Sequence, residues 1–93
     1  MSDKHTNEII SVIDIGTTKI IVLIAEYDLR QNIISKVIGF GESHSAGLKR
    51  GVVVDINKTI QSITSAVEGA EQQAGMEISH AFVGISGDHI SSL

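Results

Sequence analysis

Ile9-Ile10-Ser11-Val12-Ile13-Asp14-Ile15-Gly16-Thr17-Thr18-Lys19-Ile20-Ile21-Val22-Leu23-Ile24-Ala25-Glu26-Tyr27 is two β-branched runs parted by Gly16, Thr17 and Thr18. The first run, residues 9–15, is almost wholly apolar, the pattern of a strand covered on both faces. The second, residues 19–27, resumes after a three-residue gap, and that spacing predicts a hairpin. Asp14 stands at the carboxyl end of the first run, where a carboxylate is costly unless it is hydrogen-bonded, paired or near a cation.

Outward from this hairpin, residues 28–32 supply a second turn and residues 33–40 a third strand. Residues 39–51 are rich in Gly and Ser, carry Lys49 and Arg50, and read as an exposed connection ending in Val52, Val53 and Val54. Asp55 is then a helix N-cap. Ile56, Ile60, Ile63, Val67, Ala70 and Ala74 follow at helical spacing, which predicts that they form the buried stripe. Gly75 falls where a left-handed C-cap belongs, and Met76 and Ile78 read as core packing at the foot of the helix. Gly69 marks a close approach to the sheet. Residues 78–85 form a fourth strand, which joins the same sheet in parallel after a helical crossover. The fold class is therefore α/β: a three-stranded meander, a helix, then a strand. Residues 1–8 form a polar leader. Strands apolar on both faces need two covers and the sequence supplies one helix, so a fragment or a partnered chain is expected.

Bulk composition removes several classes of function. A net charge of −4 gives no electrostatic footprint for nucleic acid, which is excluded as a principal partner. Cysteine is absent, so disulfides and thiolate metal sites are excluded. The longest apolar run, residues 20–25, is far short of the roughly 20 residues that span a bilayer. His44, His80 and His89 have no metal-ligand spacing, and Asp88-His89 has no partnered nucleophile, so both read as loop chemistry. Lys49 and Arg50 read as a solvated turn.

Asp14, Gly16, Thr17, Thr18 and Lys19 form the one compact cluster with a chemical rationale. Gly16 lets the backbone turn and admits a ligand without Cβ interference. Successive N–H groups and two hydroxyls make a concave donor surface for phosphate oxygens, and Lys19 adds a point charge. Asp14 suits a magnesium ion held through water, since magnesium keeps most of its hydration shell. A plain hairpin accounts for the same residues, because Gly-Thr-Thr is acceptable turn chemistry. A Walker loop is ruled out: a strand, not a helix, follows the turn.

Asp14-Ile15-Gly16-Thr17-Thr18 resembles the first phosphate loop of the actin, heat-shock-70 and sugar-kinase superfamily. Three further stretches resemble the bacterial cell-division family FtsA. These are Gly47-Leu48-Lys49-Arg50-Gly51-Val52-Val53-Val54-Asp55, the Ile- and Ala-rich helix over residues 56–74, and Val83-Gly84-Ile85-Ser86-Gly87-Asp88-His89-Ile90-Ser91. The resemblance covers residues 9–93. It implies the N-terminal part of an actin-like (ribonuclease H-like) ATPase domain. Residues 9–77 would open subdomain 1A, and residues 78–93 would lead into the family-specific subdomain 1C.

The resemblance further implies ATP and magnesium in the complete protein, self-association into polymers, and work at the division ring on the cytoplasmic face of the inner membrane. The family tethers the tubulin-like division protein there and recruits later division proteins. It reaches the membrane through a C-terminal helix that this chain does not contain. Turnover would be slow or incidental and impossible in this chain alone, so an adaptor is expected rather than an enzyme. A carbohydrate kinase or other phosphotransferase of the same superfamily and the type IV pilus assembly relative of FtsA are the alternatives.

Overall fold

The computed structural model describes residues 7–50 and 52–85. The chain forms β1 (Asn7–Ile15), β2 (Lys19–Asp28), β3 (Ile33–His44), β4 (Leu48–Lys49), β5 (Val52–Val53), α1 (Ile56–Ala74) and β6 (Phe82–Ile85). The main sheet has the order β3-β2-β1-β6. β1 and β2 pair antiparallel, as do β2 and β3, while β6 lies parallel to β1 with Ile15 beside Ile85. The architecture is thus the expected meander, helix and parallel strand. β1 begins two residues before residue 9, and β6 is shorter than the run 78–85.

Two departures have clear physical causes. The third strand does not stop at Phe40 but continues to His44, because the Gly- and Ser-rich stretch holds ladder positions opposite residues 19–23 of β2. Glycine there weakens strand propensity, yet a second element requires it. A Cβ on Gly41 would collide with the Ala66 carbonyl oxygen and lie 2.7 Å from the Ala70 nitrogen; one on Gly39 would strike the Ala70 carbonyl and lie 2.9 Å from the Ala74 Cβ. The helix lies directly on the backbone of β3. Gly69, the glycine that the sequence singled out, faces Gly41 with only ordinary room to spare, 3.5 Å from a built Cβ to the Gly41 Cα.

The same contact turns Ile56 and Ile60 of the expected stripe away from the sheet, while its Ile63, Val67, Ala70 and Ala74 join the core. Ile56 and Ile60 are 67% and 55% exposed, and the buried helical residues are Thr59, Ser62, Ala66 and Ala70. A bare strand backbone accepts small side chains at the contact, and large β-branched ones would hold the helix off. Ile63, Val67 and Ala74 flank this line and complete the core with Ile20, Val22, Ile24 and Ile78. Burying an aliphatic side chain of this size contributes about 1.5–3 kcal/mol, so Ile20, Val22 and Ile24 anchor the layer. Met76 is 39% exposed and lies outside that core.

The caps are as expected. Asp55 is extended and its Oδ1 accepts from the Lys58 N–H at 3.0 Å, while Gly75 is left-handed at φ 73° and its N–H donates to the Glu71 carbonyl. Side chains alternate across a strand, so Val12, Ile21, Leu23, Phe40 and Phe82 lie on the face opposite the helix. Phe40 and Phe82 are 44% and 70% exposed, and α1, the helix of the described residues, covers the other face. No helix of the described residues is long and apolar enough to cross a membrane, which says nothing of β-barrels.

Candidate functional site

β1 and β6 end, and β2 begins, at one edge of the sheet, where residues 16–18 make the β1–β2 turn. This is the edge outside the carboxyl ends of the parallel strands, where open α/β sheets bind ligands. The turn is fixed from two sides. The Gly16 N–H donates to the Lys19 carbonyl at 3.0 Å, and the Ser45 N–H, just past β3, donates to the Thr18 carbonyl at 2.9 Å. Gly16 therefore spends its own N–H inside the turn, contrary to the expectation that it faces a ligand. Positive φ values among the described residues fall at Asn32, Gly47, Arg50 and Gly75, so Gly16 is not there for a left-handed backbone. The Thr17 and Thr18 N–H groups are engaged by no other described residue. They are the donors that the turn leaves open.

Asp14 is exposed at the end of β1 and sits in register with Ile21, which in turn sits in register with Glu42 on β3. Asp14, Lys19 and Glu42 consequently share the face opposite the helix. The Lys19 Nζ lies 2.9 Å from the Glu42 Oε2, with the two side chains 57% and 41% exposed. Sequence reading gave Lys19 to phosphate and missed Glu42. A carboxylate in the third strand is recognisable as its partner only when the β2–β3 register is known. Thr18, Lys19, Glu42, Ser43 and His44 line an open hollow of ≈ 370 Å³ beside the turn.

Among the described residues no group of three or more His, Cys, Asp or Glu side chains converges on a metal position. A cation here would be held by one carboxylate, water and phosphate oxygens, the usual arrangement for magnesium on a phosphate ligand. The residues fit that group: an exposed strand-end carboxylate stands beside a turn whose open N–H groups suit an anion.

The Gly47-to-Asp55 segment folds as the β4–β5 hairpin around Arg50, which is left-handed at φ 54°. Gly47 has φ 86°, and its missing Cβ leaves room for the Asp55 carbonyl and Thr59. Its carbonyl accepts from the Val54 and Asp55 N–H groups at 2.7 and 3.1 Å. Between turn and hairpin, Ser43 Oγ donates to the Ser62 carbonyl at 2.5 Å, the Ala46 N–H donates to Ser62 Oγ at 3.1 Å, and Thr59 Oγ1 donates to the Asp55 carbonyl at 2.9 Å and lies 3.3 Å from the Ala46 carbonyl. Residues 42–47 thus clasp the phosphate-loop candidate, the helix and the hairpin together. Gly51 and residues 86–93, with Asp88, His89 and most of the third FtsA-like stretch, lie outside the described residues.

No protein-family model matches the chain. It is 44% identical over 93 residues to the cell division protein FtsA of Pseudomonas aeruginosa, covering all of this chain and 22% of that protein. The chain is a piece of an FtsA sequence. FtsA of Neisseria meningitidis serogroup B is 44% identical over 84 residues, covering 90% of this chain and 20% of the relative. FtsA of Bacillus subtilis is 39% identical over 88 residues, covering 94% and 19%. The chain therefore spans about one fifth of the length of these FtsA relatives, and its mixed α/β fold is part of an actin-like domain.

Proposed function

We propose that the chain contributes the first phosphate-gripping turn of an actin-like, ATP-binding cell-division protein. The observation that carries this reading is the turn at residues 16–18. It is tied down through the Gly16 N–H and the Thr18 carbonyl, the Thr17 and Thr18 N–H groups bond to no other described residue, and it lies at the sheet's carboxyl edge. Those two N–H groups and the two hydroxyls hold phosphate oxygens. Asp14 orients magnesium through water, and the cation neutralises phosphate charge when bound. Lys19 supplies a mobile positive charge at the rim. In the complete protein this site supports polymer formation at the division ring. There the polymer holds the tubulin-like division protein at the cytoplasmic face of the inner membrane and recruits later division proteins. The relatives' shared name supports the cell-division role. No observation favours the carbohydrate-kinase or pilus alternatives.

A chimera tests the site. Residues 1–93 replace the matching segment of P. aeruginosa FtsA, which supplies the rest of the protein. Calorimetric titration with ATP, in magnesium and then in chelator, is compared between this chimera and its Asp14→Asn variant. The substitution weakens the magnesium-dependent binding about tenfold or more, as expected when a carboxylate helping to hold a cation is neutralised, and leaves the circular dichroism unchanged. Equal affinities under both conditions would remove Asp14 from the site.

A further inference from the structure

Glu42 belongs to no expected motif, yet it holds the one lysine of the phosphate-loop candidate. Asp14 on β1 and Glu42 on β3 both lie in register with Ile21, and Lys19 lies two residues from Ile21 on the same strand and the same face. Diagonal neighbours across a sheet are about 7–8 Å apart, within reach of a lysine side chain. Lys19 and its ion-pair partner Glu42 therefore share one face of the sheet with Asp14 at the rim of the turn. The Lys19–Glu42 pair also forms the wall of the hollow of ≈ 370 Å³ beside Thr18, where an incoming ligand meets it.

We propose that Glu42 makes the phosphate turn selective for a metal-complexed phosphate over a metal-free one, because its carboxylate offsets the Lys19 charge at the rim and repels the more highly charged ligand more strongly. This inference rests on the phosphate-loop reading above. A metal-free nucleoside triphosphate carries about twice the negative charge of its magnesium complex, so a nearby carboxylate repels it about twice as strongly. An exposed pair such as Lys19–Glu42 is weak, so the ammonium exchanges Glu42 for a phosphate oxygen at little cost. The carboxylate stays in place and its field remains.

The magnitude follows from the charges. For a carboxylate about 8 Å from the phosphates, in water and physiological salt, removing its charge strengthens metal-free ATP binding about fourfold and magnesium–ATP binding about twofold. At tenfold lower salt the factors grow to about tenfold and about fourfold.

The test uses the P. aeruginosa chimera with wild-type residue 42, Glu42→Gln and Glu42→Lys, titrated calorimetrically with ATP in magnesium and in chelator at two salt concentrations. Both variants are expected to gain more for metal-free ATP than for the complex, with Glu42→Lys squaring the Glu42→Gln factors and low salt widening the gap. Identical gains for the two ligands, or no gain in either variant while the unaltered chimera binds, would overturn the role of Glu42. An unaltered chimera that binds no ATP, beside a P. aeruginosa parent that does, overturns the phosphate-loop reading itself. The exposed Glu42 side chain pairs with Lys19, and circular dichroism of each variant verifies the fold.

Discussion

Replacing Gly41 with alanine adds one methyl group and is expected to be among the most damaging conservative changes available to this chain. A Cβ built at Gly41 overlaps the Ala66 carbonyl oxygen, lies 2.7 Å from the Ala70 nitrogen and 2.9 Å from the Ala66 carbonyl carbon. Ordinary contact begins near 3.4 Å, so the Ala70 nitrogen alone requires about 0.7 Å of retreat and the Ala66 oxygen more. All three atoms are helix backbone, so no side-chain rotamer relieves the clash. The helix must lift from β3 as a body, and a gap of 0.5–1 Å forfeits about a quarter to a half of the dispersion energy across the interface. Overpacking usually costs about 1–3 kcal/mol. With backbone on both sides, about 3 kcal/mol is expected, a large share of the roughly 5–14 kcal/mol that a domain of this length can have.

Gly69→Ala provides the control: the same addition, on the same helix, meets Gly41 Cα at 3.5 Å, and alanine gains up to about 1 kcal/mol in a helix interior. Urea unfolding of both variants, followed by far-ultraviolet circular dichroism at matched protein concentration, separates them. Gly41→Ala within about 0.5 kcal/mol of wild type, or Gly69→Ala as harmful as Gly41→Ala, would refute the close backbone contact.

Asp55→Ala removes the carboxylate that accepts from the Lys58 N–H at 3.0 Å. It is expected to cost about 1 kcal/mol, read as a lower urea midpoint with an unchanged slope; an unchanged midpoint would mean that solvent caps the helix equally well. The 93-residue chain alone is expected to self-associate in sedimentation and to bind ATP more weakly than micromolar. Its sheet face with Phe40 and Phe82 is open and invites association, and one turn's hydrogen bonds fall short of the about 8 kcal/mol that micromolar binding requires. A compact monomer with micromolar affinity would contradict both.

How much of this was legible beforehand depended on which kind of signal carried it. The β1–β2 hairpin, the helix ends at Asp55 and Gly75, and the parallel return of β6 were all readable. Apolar runs, a cap carboxylate and a glycine each leave a local mark in the sequence. The helix face was misread at Ile56 and Ile60, because hydropathy ranks them above Thr59 and Ser62, while the contact surface selects by size. Gly39 and Gly41, which set that surface, lie in another strand. The extension of β3 through residues 41–44 was hidden for the same reason: glycine and serine look like a loop until the partner backbone explains them. In the candidate site, the turn and Asp14 were legible, and the Lys19–Glu42 pair was not. It depends on the register between strands, which fixes the two charges on one face at a diagonal.

The stretch after Gly41 shows what hydrophobic patterning misses. Glu42 pairs with Lys19, Ser43 and Ala46 bond to Ser62, Ser45 bonds to Thr18, and Gly47 receives the backbone that starts the helix. Every one of these links is polar, so none leaves an apolar period, yet together they set where the phosphate-loop candidate lies relative to α1. Ser45 stands at the joint. Its N–H holds the Thr18 carbonyl, and its Oγ is buried without a partner among the described residues. Burying a hydroxyl without a partner is costly, and at 6% exposure Ser45 has little access to solvent. The Ser45 N–H thus commits the Thr18 carbonyl to the scaffold, and the Thr17 and Thr18 N–H groups bond to no other described residue.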